Sequence, residues 1–321
     1  MESVASAPGK TILFGEHAVV YNQPAIAAAV DKRAIVTIKD NPKGVTTFRS
    51  DDLGFEAELD TRKKTYKLIK GKPGIIRYVL EILNKWHDEH TPIDVKLSLN
   101  IPIGSGLGSS AAVTVATLAA LYNYTGFPFN KRVLANEAHK IEQSVQGMAS
   151  PLDTAVSTFG GLVYLSREKE ISKFNTDIKS NFVIGYTNKK GNTGQIVKSV
   201  KFLKNKHPRI LDSIIKTIGK ATDEAKDALM TDNNSKLGEL MNINQGLLDS
   251  LGINTYELSR MIYTARGNGA IGAKITGAGG GGSILALVPK NAEKVFNALK
   301  VEDNALIAKI TQKGALAKVR E

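Results

Sequence analysis

Two mixed helix-and-strand domains are what this sequence predicts. Segments of helical and of strand period alternate from one end to the other, which excludes an all-α or all-β chain. The character changes near residue 181, where short strands and turns give way to long helical stretches. At 321 residues the chain is long enough for two medium cores, and two domains are the better reading.

Taken in order, Val4–Ala7 and Ile12–Phe14 read as strands around a Pro8-Gly9 turn, and Ala34–Lys39 alternates with period two. Residues 40–70 read as irregular or hairpin structure. Ile75–His87 carries a helical pattern, and Val95–Leu99 alternates as a strand. Ala111–Tyr124 is an alanine-rich helix fit for close packing, Lys131–Gln146 is a second helix, and Leu162–Leu165 is a strand after Gly160-Gly161. Phe182–Tyr186 opens the second half as a strand. Helical stretches continue to residue 268, and strands return at Ala273–Thr276, Ser283–Val288 and Ala305–Ile310, with a helix at Ala292–Lys300. The domains are therefore expected at 1–180 and 181–321.

Composition narrows the chemistry. The absence of cysteine excludes disulfides, thiolate nucleophiles and cysteine-ligated metal sites. No apolar run is long enough to span a bilayer, and no basic segment followed by an apolar one opens the chain. The expectation is a cytoplasmic protein without a membrane partner. The net charge is +12, but basic clusters such as Arg62-Lys63-Lys64 and Lys189-Lys190 are no longer than three, and aromatics make up only 6%. No nucleic-acid partner is expected; a solvated basic surface that attracts anionic substrates fits better.

The most informative stretch is Ile101-Pro102-Ile103-Gly104-Ser105-Gly106-Leu107-Gly108-Ser109-Ser110-Ala111-Ala112. Its three glycines let successive backbone N–H groups point inward at an anion, and Ser109 and Ser110 stand where a helix N-terminus begins. Such a loop binds the phosphates of a nucleotide. The common phosphate loops do not fit. Gly9-Lys10-Thr11 matches the tail of a Walker loop, but its first glycine would fall on Val4. Gly277, Gly279 and Gly282 match G-x-G-x-x-G, yet Ser283–Val288 after them is strand-like where that fingerprint requires a helix. Neither H-R-D nor D-F-G of the protein kinases is present.

Five further residues carry candidate chemistry, each with a plainer reading beside it. Glu142 sits at the edge of the apolar stripe Leu134, Ala138, Ile141 and Val145. It is either a boundary glutamate reaching solvent or a lysine, or a Mg²⁺ ligand beside the phosphate loop. Asp153, in a segment without periodicity, is a turn or N-cap aspartate or a base for an attacking hydroxyl. Lys10 is exposed, or is turned inward to stabilise charge on a transferring phosphoryl group. Glu16 and His17 are loop residues or readers of a substrate hydroxyl. The glycine run 277–282 exceeds what a hairpin needs, so it points to close backbone approach to a ligand or to the first glycine loop.

Together these segments resemble the three signature motifs of the GHMP kinases: Ala7-Pro8-Gly9-Lys10 through Gly15-Glu16-His17, then Pro102 through Ala112, then Lys274 through Gly282. Gly15-Glu16-His17-Ala18-Val19-Val20-Tyr21 is similar to the mevalonate kinase branch, and Ser150-Pro151-Leu152-Asp153 looks closer to its archaeal type. Asn22 departs from a glycine common at that turn. The resemblance implies an α+β, two-domain fold: an N-terminal domain like domain 2 of ribosomal protein S5, a C-terminal ferredoxin-like domain, and a cleft between them. It implies Asp153 as catalytic base on the C5 hydroxyl of mevalonate and Lys10 as its cationic partner. Pro102, Gly104, Ser105, Gly106, Leu107, Gly108, Ser109, Ser110, Ala111 and Ala112 would hold ATP. Ser110 and Glu142 would hold Mg²⁺, and Glu16, His17, Thr193, Gly277, Ala278 and Gly279 would line the mevalonate site. A homodimer is implied as well. The alternatives are a relative acting on phosphomevalonate or on another hydroxyl of mevalonate, and a silent nucleotide-binding sensor. Retention of Lys10, Glu142 and Asp153 together speaks against the sensor.

Overall fold

The computed structural model describes residues 1–72, 74–87, 91–102, 105–147, 149–174, 176, 180–187 and 192–320. Of the positions singled out above, Ile103, Gly104, Lys189 and Lys190 lie outside the described residues.

The first sheet is built around two long strands, β1 (Glu2–Phe14) and β2 (Ala25–Asp40), paired antiparallel. The sequence suggested a Pro8-Gly9 turn, but the chain runs straight through it. Pro8 and Gly9 form a bulge, with the register shifting between Pro8 and Lys10. A proline has no N–H for the ladder, and a bulge accommodates that loss without reversing the chain. β2 also begins nine residues before the expected strand. Its first part, Ala25 to Ala28, pairs with β7 (Leu162–Leu165) and its second part with β6 (Ile93–Leu99). Residues 40–70 form a meander of β3 (Thr46–Ser50), β4 (Phe55–Asp60) and β5 (Thr65–Lys70), and β8 (Ile171–Phe174) pairs with β7.

Four helices cover this sheet: α1 (Ile76–Trp86), α2 (Ser109–Thr125), α3 (Lys131–Gln146) and α4 (Pro151–Phe159). α2 is buried along almost its whole length, which its small alanine and threonine side chains allow. Asn130 caps α3 by accepting from the Arg132 and Val133 amides.

The second unit comprises β9 (Asn181–Tyr186), α5 (Thr193–Lys206), α6 (Pro208–Met230), α7 (Asn234–Ser250), α8 (Tyr256–Gly267), β10 (Gly272–Thr276), β11 (Ser283–Val288), α9 (Ala292–Lys300) and β12 (Asn304–Ala308). Its antiparallel sheet has the order β10-β11-β9-β12, with helices between its first and second and its third and fourth strands. That is the ferredoxin-like split β-α-β arrangement. The last strand, β13 (Leu316–Arg320), crosses back and pairs with β1 in the first sheet. One core joins β1, β2 and α2 to Ala221 and Ala225 of α6 and Leu237 and Met241 of α7, and a second lies between α5, α8, α9 and the second sheet. Among the described residues no helix is long and apolar enough to cross a membrane.

Candidate active site

The β1 bulge is a seat for the phosphate loop. The Lys10 amide donates to Leu107 O at 2.8 Å, and a Cβ on Gly9 would lie 2.8 Å from that same oxygen. Gly108, with φ +61°, ends the loop and begins α2. A Cβ there would lie 2.7 Å from Lys10 Cε, so only glycine lets the loop close over the lysine stem. On the far side, a Cβ on Gly106 would come within 2.9 Å of Ser283 Oγ. The first glycine loop is thus wedged between Lys10 and the end of the second glycine run.

Lys10 turns inward. Its Nζ meets Asp153 Oδ2 at 3.0 Å, with the lysine side chain buried and the aspartate 27% exposed toward the cleft. Asp153 is held by a short helix that its neighbours specify: Ser150 caps α4 by accepting from the Leu152 amide, and Pro151 occupies the first helical position. Leu152, Ala155 and Val156 anchor the helix on Ala25, Ala27 and Ala29 of β2 and on Val163 and Leu165 of β7. An aspartate in the first turn also gains from the helix dipole.

Glu142 of α3 does not reach solvent; it is 3% exposed. Burial, then the charge of Asp153, push its carboxyl up to about 7, opposed by a hydrogen bond from Ser110 and by the Lys10 charge. Gln146 donates to it at 3.5 Å and to the Tyr78 hydroxyl at 2.8 Å. Ser110 and Glu142 therefore present adjacent oxygens beside the phosphate loop. Among the described residues no three acidic or histidine side chains converge as a metal cage.

The opposite wall belongs to Glu16 and His17. Glu16 is fully buried, and both its oxygens are engaged, one by the Lys274 ammonium and the other by Asn244 Nδ2 at 3.4 Å. His17 stands at φ +59°, an uncommon conformation for a side-chain-bearing residue, and its Nε2 lies 2.8 Å from Ala278 O. A carbonyl oxygen only accepts, so Nε2 carries the proton. Burial lowers the ring's pKa, which leaves Nδ1 of the neutral imidazole as an acceptor.

These residues face one cleft of about 480 Å³, which also receives Pro102, Leu107, Ser109, Gly277, Gly279 and, from the start of α5, Thr193. Gly277, Gly279, Gly280, Gly281 and Gly282 all have positive φ, so the run coils tightly between β10 and β11. Three expected nucleotide contacts are not on the cleft wall. Ala111 and Ala112 are buried inside α2, and Ser105 is buried with its hydroxyl donating to Pro102 O at 2.6 Å. Sequence reasoning overlooked Lys274 as the partner of Glu16, although a lysine in an otherwise apolar strand was a signal. It also overlooked Ser283, whose Oγ is buried, lines the cleft and has no hydrogen-bond partner among the described residues.

Two family models fall on this frame. "GHMP kinases N terminal domain" matches residues 74–161, and "GHMP kinases C terminal" matches residues 225–303. This chain belongs to the GHMP kinase family. Among its GHMP relatives, the mevalonate kinase of Methanothermobacter thermautotrophicus is 44% identical over 98% of this chain and 100% of the relative. That of Pyrococcus abyssi is 38% identical over 99% and 98%. The crystal structure of the Methanococcus jannaschii mevalonate kinase superposes with a TM-score of 0.82 at 30% identity, covering 96% of this chain and 98% of that one. A structure of L. major mevalonate kinase in complex with R-mevalonate shares the fold, with a TM-score of 0.84 at 23% identity and 96% of each chain covered. A GHMP kinase of this kind is an ATP-dependent phosphotransferase.

Proposed function

We infer that this chain transfers the γ-phosphoryl group of ATP to the C5 hydroxyl of mevalonate, giving 5-phosphomevalonate. The observation that carries the reading is the Lys10–Asp153 pair, 3.0 Å apart beneath the phosphate loop and open to the cleft, in a chain 44% identical along its length to a mevalonate kinase.

The geometry supports the following roles. Asp153 accepts the proton of the C5 hydroxyl as its oxygen attacks the γ-phosphorus; the bond to the bridging oxygen breaks and ADP leaves. Lys10 stabilises the negative charge that develops between alcohol and phosphoryl group. Backbone amides from Gly106 through Ser109, with the N-terminus of α2, cradle the phosphates. The metal of this reading is Mg²⁺, and the residues fit it: Glu142 is a buried carboxylate beside a second carboxylate, a charge pair that a divalent cation relieves, and Ser110 adds a hydroxyl. Two protein ligands suffice for an ion that takes the rest of its shell from phosphates and water. When bound, it supplies charge neutralisation at the β- and γ-phosphates. His17 offers Nδ1 to a substrate hydroxyl, with Ala278, Gly277, Gly279 and Thr193 completing that side.

The reading extends to a homodimer working in the cytoplasm, with the two units divided at 180/181 and β13 lent back to the first. Light scattering of the purified chain tests the dimer.

An ADP-release assay over a panel of mevalonate, phosphomevalonate, galactose and homoserine tests the activity, with the product examined by ³¹P NMR. Turnover of mevalonate to a C5 phosphomonoester is expected. Turnover of another member of the panel, with none of mevalonate, would overturn the assignment.

A further inference from the structure

The second buried ion pair of the molecule has no place in the chemistry above. Lys274 lies in the middle of β10, where every residue is buried, and its side chain and that of Glu16 are both fully excluded from solvent. Besides Glu16, the ammonium donates to Ile275 O at 2.6 Å. Burial pulls its pKa down, and the Glu16 charge opposes that shift.

Such a pair is a poor stabiliser, because desolvating two charges costs as much as their attraction returns, or more. The surrounding network is not even complete: Asn244, which donates to Glu16, keeps a buried Oδ1 without a partner among the described residues. An apolar pair would serve the core at least as well. What an apolar pair lacks is direction.

Direction is what this place requires. Lys274 and Thr276 share one face of β10, since alternate residues of a strand do. Thr276 stitches that face to β1, donating to Ile12 O at 3.0 Å and accepting from the Ile12 amide at 3.2 Å. Two residues past Thr276, Ala278 O takes the His17 ring. His17 is held at φ +59° and ψ −42°, a sparsely populated conformation that persists only where its surroundings over-determine it. Glu16 is its immediate neighbour and is pinned from the other unit.

We propose that Lys274 is a positioning residue: its ammonium fixes Glu16 across the boundary between the two units, and Glu16 in turn fixes His17 against Ala278, shaping the alcohol side of the cleft. Glu16 thereby acts on the substrate through His17 rather than by offering its own carboxylate. The kinetic consequence rests on the mevalonate reading above; the structural one does not.

The test compares wild type, Lys274→Met and the doubly neutral Lys274→Met/Glu16→Gln. The first readout is the ring resonance of His17 in ¹⁵N-histidine-labelled protein without substrate, assigned with His17→Asn. It is expected to shift or broaden in both variants. In steady state, KM for mevalonate is expected to rise about tenfold or more, with KM for ATP within about twofold and kcat lowered by less than about threefold. The double variant has no stranded charge, so its Tm is expected to return toward wild type while KM stays high. An unchanged His17 resonance, or KM recovering together with Tm, would overturn the proposal and leave the pair a purely structural contact. If wild type itself fails to phosphorylate mevalonate, the functional reading falls, and the His17 resonance still decides the role of Lys274.

Discussion

Among the lysine–carboxylate pairs of the described residues, Lys10–Asp153 and Lys274–Glu16 bridge segments far apart in the chain, and they differ in one respect. Lys10–Asp153 opens on the cleft, with the aspartate 27% exposed, whereas the Lys274 and Glu16 side chains are fully excluded from solvent although Glu16 stands in the cleft wall. An open pair can exchange its partner for a reacting group and so take part in a reaction. A sealed pair cannot, and its effect reaches the substrate only through the backbone and side chains it holds. On the account proposed above, the same residue types serve chemistry in one place and alignment in the other, and accessibility separates the two roles.

Breaking the open pair gives the largest expected effect. Asp153→Asn keeps the shape and removes the proton acceptor, so kcat is expected to fall by about a hundredfold or more, measured by ADP release at saturating substrates. Next comes Glu142, the third charge at the open site. Burial and the neighbouring Asp153 charge push its carboxyl up to about 7 in the folded protein, against 4.5 for a free glutamate. Between those pH values the folded chain holds a proton that the unfolded chain has lost, so stability falls as pH rises through this window. Glu142→Gln is therefore expected to raise metal-free stability at pH 8 by up to about 3 kcal/mol, and to have no such effect near pH 4, as read by urea unfolding at the two pH values. On the reading proposed above the same variant also loses a Mg²⁺ ligand, so higher stability should accompany lower activity.

A smaller effect is expected at the loop. Gly108→Ala places a methyl against the Lys10 stem at a positive φ, and KM for ATP is expected to rise about tenfold, measured by initial rates. Thr276→Val tests the seam beside the sealed pair. It removes two hydrogen bonds to Ile12 and one shared with the Thr11 hydroxyl at nearly constant volume, so urea unfolding is expected to show a loss of about 1–3 kcal/mol with kcat little altered.

Where local signals agreed with one another, the sequence was a sufficient guide. α3 runs from Lys131 to Gln146 as its apolar stripe indicated, and β7, β11 and α9 also keep their expected bounds. α4 was missed because nine residues are too few for a period, although Ser150-Pro151 is a helix-start signal. The Pro8-Gly9 bulge was read as a turn because the two share their residue types; only pairing with β2 and contact with Leu107 distinguish them. Of the site, Lys10, Asp153, Glu142 and the glycines were legible as types suited to phosphoryl transfer. That Glu16 is sealed was not, because its partner lies 258 residues away and depends on the packing of two units.

The most direct test of the division between the open and the sealed pair is a single-turnover quench-flow measurement with ATP, Mg²⁺ and mevalonate all saturating. Under those conditions Asp153→Asn should slow phosphoryl transfer by about a hundredfold or more, while Lys274→Met should remain within about threefold of wild type. Equal slowing by the two substitutions, or a fast Asp153→Asn, would contradict the assignment of chemistry to one pair and alignment to the other.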